Sequence, residues 1–144
     1  MRTIFWMVLI FSTLVWAELT KTNDIVDDNI TKLQWQDNET ISDFSTIDWE
    51  ASLAYCEALE LGGNLNWRLP NIKELTSIVD RDTFNPAMSN VFGFADTNFI
   101  YWSASTYYET TDHTYAWGIS FGAGGQNSAS KSNSNNVRCV RDSE

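Results

Sequence analysis

The sequence predicts an α+β domain. Three observations carry that expectation. An alternating apolar segment lies near the start, two segments in the middle carry helix caps, and the last third is rich in strand-forming runs separated by turn residues. With 144 residues, the chain has the length of one domain around one core.

Residues 1–17 read as an export signal. Arg2 supplies the positive start, Ile4 to Phe11 the apolar stretch, and Val15-Trp16-Ala17 a cleavage site. Ser12 and Thr13 interrupt the stretch, which leaves it short of the roughly 20 residues of a membrane span. An uncleaved anchor is the alternative. Residues 18–29 are polar and acidic, with Asp24, Asp27 and Asp28, and read as a loose arm before a domain over 30–144.

Within Ile30 to Gln36, alternation places Leu33 and Trp35 on one face of a short strand. Asp37-Asn38-Glu39-Thr40 is a turn signal. Asp48 is a good N-cap for a helix from Trp49 to about Leu61, with Trp49, Leu53, Cys56 and Leu59 on one face and Gly62-Gly63 as its stop. Asn71 caps a second helix, and Glu74 three residues later completes a capping box. Ile72, Leu75, Ile78 and Val79 form its apolar face. Residues 80–98 read as irregular. Three strands follow: Phe99 to Ser105, Tyr115 to Phe121 and Val137 to Arg141. The loop 122–136 between the last two is rich in Gly, Ser and Asn, which bury little and turn readily.

The formal net charge is −10, and Arg2 falls in the removable segment. Nucleic acid binding needs a basic stripe that releases counterions, and the chain has none. A sulfated polysaccharide meets the same repulsion. No Lys/Arg-rich segment suits a membrane surface. Two cysteines in an exported chain most often form one disulfide, here Cys56 with Cys139. A reactive thiol or metal pair fits less well, because there is no C-x-x-C and the one histidine, His113, is near neither cysteine in sequence.

Several short blocks occur in a fixed order. They are Leu33-Gln34-Trp35-Gln36, Tyr55-Cys56, Trp67-Arg68-Leu69-Pro70-Asn71, Tyr101-Trp102-Ser103, Tyr115-Ala116-Trp117 and Val137-Arg138-Cys139-Val140-Arg141. In this order they resemble the Lcl C-terminal domain family, a domain of unknown function named for the C-terminal region of a bacterial collagen-like adhesin. The resemblance covers about residues 24 to 142. Trp-Arg-Leu-Pro followed by Val-Arg-Cys-Val-Arg carries most of its specificity. It implies a C-type-lectin-like fold, with two helices on a small twisted antiparallel sheet, long loops, and a disulfide from the first helix to the last strand. It also implies a bacterial cell-surface or periplasmic setting; with the export signal, the chain is expected to be periplasmic, cell-surface or secreted after cleavage near Ala17. It implies little about the ligand, because this fold carries many functions.

Trp35, Trp49, Trp67, Trp102 and Trp117 could stack on sugars, but their large apolar area and their place in predicted elements favour the core. Arg68 could clamp an anion, yet a planar guanidinium suits a partly buried structural pair, and the same holds for Arg138 and Arg141. Trp67, Arg68, Pro70, Trp102 and Arg138 are thus expected as structural residues. Asp80, Asp82 and Asn85 are weak Ca²⁺ candidates, since calcium takes about six to eight oxygens and the segment lacks the Gly and Glu of an EF-hand loop. No cofactor is otherwise expected. A Ser/His/Asp catalyst would need His113, and no Gly-x-Ser-x-Gly elbow is present. Nothing selects a carboxylate pair for glycoside cleavage, so an enzyme is not expected.

The loops carry the functional expectation. Residues 106–115 offer Tyr107, Tyr108, Glu109, Asp112, His113 and Tyr115, and residues 122–136 offer Gln126, Asn127 and Lys131. Tyrosine among Ser, Gly and Asn combines rigid aromatic area with adaptable hydrogen bonding. The sequence therefore reads as an exported non-enzymatic recognition module, adhesin-like by resemblance. Its expected ligand is a glycan or an envelope protein, with no nucleic acid and no membrane insertion of the mature chain. The alternatives are an envelope hydrolase using carboxylates and a structural or assembly domain.

Overall fold

The structure is a computed structural model that describes residues 19–38, 46–109 and 111–143. The expected export signal and Glu39-Thr40 of the expected turn lie outside these residues. Among the described residues the architecture is α+β, with two helices and two antiparallel sheets rather than one.

Leu19–Thr22 (β1) and Ile25–Asp28 (β2) pair as a hairpin, turned at Asn23 with φ 54°. This corrects the expectation of a loose arm. Val26 of β2 lies opposite Trp35 and is fully buried, so the hairpin is anchored by an apolar pair. Leu33–Gln36 (β3) forms with Leu33 and Trp35 buried, as their alternation requires.

Helix α1 spans Trp49–Ala58, and Asp48 Oδ1 accepts the Ala51 N–H at its start. It ends short of Leu61, because Leu59 is already extended at the C-cap. Gly62 and Gly63 adopt positive φ in the turn that bridges Leu61 and Asn64. A Cβ on Gly62 would lie 2.6 Å from Ile25 Cδ1, so close packing as well as φ requires glycine there. Helix α2, Ile72–Ser77, carries the expected capping box between Asn71 and Glu74, and Leu75 is its fully buried residue.

Tyr101–Tyr107 (β4), Tyr115–Ser120 (β5) and Gly125–Ser130 (β6) make the second sheet in that order. Strand β6 corrects the expectation of a continuous loop over 122–136. It is an exposed edge strand, held by its ladder to β5 and without the apolar alternation that marks a half-buried strand. Val140–Asp142 (β7) then pairs with β3 and completes the first sheet, β1-β2-β3-β7.

The segment Trp67–Pro70 joins the two sheets. Arg68 exchanges backbone bonds of 2.9 Å with Val140 of β7, and Ala104 N of β4 donates to Pro70 O at 2.8 Å. Trp67 and Pro70 are buried, and Arg68 forks onto Glu74 at 2.8 and 2.9 Å and reaches Asp142 at 3.0 Å. The carboxylate that closes the capping box is thus also the arginine's partner. Cys56 of α1 and Cys139, just before β7, form the expected disulfide, with both residues fully buried. It closes a loop of 83 residues.

Candidate functional site

Along β5, side chains alternate between the faces of the second sheet. Ile119 and, just beyond the strand, Phe121 join Leu75 and Ile78 in one core cluster, whereas Ala116 joins Cys56 and Trp102 in the other. Trp117 has the parity of Ile119 and so lies on the α2 side. Helix α2 begins opposite Ser105, whose Oγ accepts the Ile72 N–H at 3.0 Å. Further along β4 lies the partly exposed Tyr107, with Tyr115 opposite it on β5.

Three aromatic residues occupy this part of the face. Tyr107 and Trp117 meet edge to face at 4.8 Å and 85°, and Tyr115 is the cross-strand partner of Tyr107. Tyr115 is 38 % exposed. The Ser103 hydroxyl donates to Trp117 O at 2.7 Å and fixes the strand beneath the indole. On β6, Ser128 and Ser130 lie opposite Trp117 and Tyr115 and bring hydroxyls to the same face. The Tyr107 hydroxyl donates to Glu109, and this bond to a carboxylate raises the phenol above its ordinary pKa. The arrangement can accept a ring-shaped ligand, with C–H surface against aromatic area and hydroxyls against Ser128, Ser130 and Glu109.

The structure divides the residues expected in one ligand site. It gathers Tyr107, Glu109 and Tyr115. Tyr108 instead meets His113 edge to face at 5.1 Å, and His113 lines a hollow with Trp49 and Lys131 that adjoins the tyrosine face at Ser130. There Lys131 Nζ sits 4.0 Å from the Trp49 ring centroid and donates to Thr106 Oγ1 at 3.0 Å. Asp112 accepts the Thr114 N–H at 3.3 Å, across the residue with positive φ, His113. Gln126 shares the face of Trp117 but pairs with Ile119, four residues and about 13 Å along the strand from Tyr115. Its Nε2 donates to Thr76 Oγ1 at 3.1 Å. Asn127 has the opposite parity, and its Nδ2 donates to Gly125 O at 3.1 Å. Gln126 and Asn127 are therefore strand residues, and neither joins the tyrosine group.

Two tryptophans also differ from expectation. Trp35, Trp67 and Trp102 are buried, but Trp49 and Trp117 are only partly so. Trp117, expected in the core, instead meets Tyr107 on the partly exposed face of β5; the sequence signal was its place two residues after Tyr115, beside a tyrosine-rich loop. Asp80, Asp82 and Asn85 form a turn in which Asp80 Oδ1 accepts the Asp82 N–H at 2.9 Å. Among the described residues, no three His, Cys, Asp or Glu side chains are grouped to hold a metal ion. Among those residues, too, no helix is long and apolar enough to cross a membrane.

Residues 24–141 match the family model described as the Lcl C-terminal domain. No curated protein matches the chain significantly.

Proposed function

The chain belongs to the Lcl C-terminal domain family, and we propose that it is an exported, non-enzymatic, lectin-like recognition module, adhesin-like in role, that binds uncharged glycans at the bacterial cell envelope. The observation that carries this reading is the group Tyr107, Trp117 and Tyr115 on the uncovered part of the β4-β5-β6 sheet. Aromatic area at this place costs little ordering entropy on binding, because the rings are already held by a rigid strand pair. The net charge of −10 supports an uncharged rather than a sulfated ligand.

A glycan array tests the proposal, using residues 18–144 on neutral, uronate-containing and sulfated glycans. Retention on neutral glycans supports it. A blank array, or retention confined to sulfated glycans, contradicts it, and a blank array points to an envelope protein as the ligand.

A further inference from the structure

We infer that the groove beside Phe84 docks a basic peptide segment of a partner protein through one apolar side chain, at a place separate from the aromatic face proposed above. Phe84 is 77 % exposed, the highest value among the large hydrophobics of the described residues. It borders a groove of about 420 Å³ whose apolar lining includes Pro86, Met88 and Phe92, with Asp80 on its wall. The loop that presents it is well bonded. Asp80 N donates to Ala87 O at 3.1 Å, Asn85 N to Gly122 O at 3.0 Å, and Ala87 N to Phe121 O at 2.6 Å. Phe84 is thus held in water by a formed frame. Such a side chain forfeits the free energy that burial gives a phenylalanine. The exposed Phe84 ring and the concave lining beside it offer a partner's apolar side chain contact on two sides.

Charge selects the occupant. Residues 80–98 carry Asp80, Asp82 and Asp96 against one cation, Arg81, on a chain of net charge −10. A second copy would bring the same carboxylates together, and an anionic lipid surface would be repelled in the same way. A peptide with lysine or arginine beside an apolar side chain gains from both features: the apolar group packs against Phe84, Pro86 and Ala95 over the buried Met88 and Phe92, and the cations face Asp80 on the wall and its neighbour Asp82.

The test is fluorescence anisotropy with residues 18–144, which include every described residue, and three labelled hexapeptides: Lys-Lys-Leu-Phe-Lys-Lys, Glu-Glu-Leu-Phe-Glu-Glu and Lys-Lys-Ser-Ser-Lys-Lys. The first should bind at least about tenfold more tightly than the others, and added salt should weaken it. Phe84→Ala should weaken that binding about tenfold or more with an unchanged melting temperature, and Asp82→Asn should reduce its salt dependence. Tyr107→Ala should leave it intact, which separates this groove from the glycan face. Equal binding by Phe84→Ala, or equal binding of the acidic peptide, would overturn the inference. So would a dimer in sedimentation, or adsorption to anionic vesicles, that Phe84→Ala abolishes.

Discussion

Arg138 Nη1 lies 2.9 Å from Asp37 Oδ1, and the two side chains are 4 % and 0 % exposed. Both side chains make further hydrogen bonds, although the buried Arg138 Nε has no partner among the described residues. Arg138 also donates to Gln36 O at 3.0 Å and to Phe94 O, and its guanidinium lies 4.7 Å from the Phe92 ring centroid. Asp37 also accepts from Lys21 Nζ at 2.6 Å and Gly93 N at 2.7 Å. One buried carboxylate thus ties β1, the 92–94 segment and the residue that leads into Cys139. Removing Arg138 leaves the buried Asp37 with only Lys21 and Gly93 and strips the Gln36 and Phe94 carbonyls of their charged donor, and breaking a buried pair costs about 3–5 kcal/mol. Arg138→Met is expected to lower stability by that amount in urea unfolding. A loss below about 1 kcal/mol, the worth of a surface pair, would show that the pair is not a structural tie.

Acid should attack the same place. Burial opposes the charge on Asp37, but Arg138 and the hydrogen bonds from Lys21 and Gly93 outweigh it and hold the carboxyl below its ordinary value. A carboxyl depressed in the folded state contributes stability that is present above its unfolded pKa of about 3.9 and is lost as pH falls through the folded value. The melting temperature should therefore drop below about pH 4, and Asp37→Asn should flatten that drop. An identical acid slope in the variant would remove Asp37 from the account.

The Cys56–Cys139 bond closes 83 residues, and a loop of that length contributes about 4–5 kcal/mol in the chain-entropy model. Replacing both cysteines with alanine should lower the urea midpoint by an equivalent amount. Alkylation without reductant, followed by mass measurement, should find no free thiol. Two labelled cysteines would contradict the bond.

Gly118 of β5 lies opposite Trp102 of β4. A Cβ there would lie 2.5 Å from Tyr101 O and 2.8 Å from Ile100 Cδ1. The first neighbour is backbone and cannot turn aside, so Gly118→Ala must part the strands. The expected cost is about 1–3 kcal/mol, as for other overpacked sites, read from the melting temperature. An unchanged value would show that the sheet adjusts freely.

The legible parts of this fold are the locally determined ones. Asp48, and Asn71 with Glu74, cap their own helices within three residues, so sequence reveals both starts. Asp37 read as a turn residue because its partner Arg138 is 101 positions away. Strand β6 was hidden because its first four residues are exposed on both faces and only Ala129 packs on the core, so no apolar alternation marks it. The tyrosines of the candidate face were visible as composition. Trp117 was not, because whether a strand tryptophan is covered depends on where α2 begins, and Ser105 marks that point only in three dimensions.

The glycan proposal requires Tyr107, Trp117 and Tyr115 to form one ligand face. The most direct measurement is calorimetric titration of a neutral oligosaccharide retained on the array, against the wild type and the Tyr107→Ala/Tyr115→Ala double variant, in calcium and then in chelator. Loss of two exposed aromatic contacts should weaken binding about thirtyfold or more, the effect of about 2 kcal/mol at a binding hot spot, with a nearly unchanged melting temperature and no effect of chelator. Equal affinity for the two proteins would contradict the account.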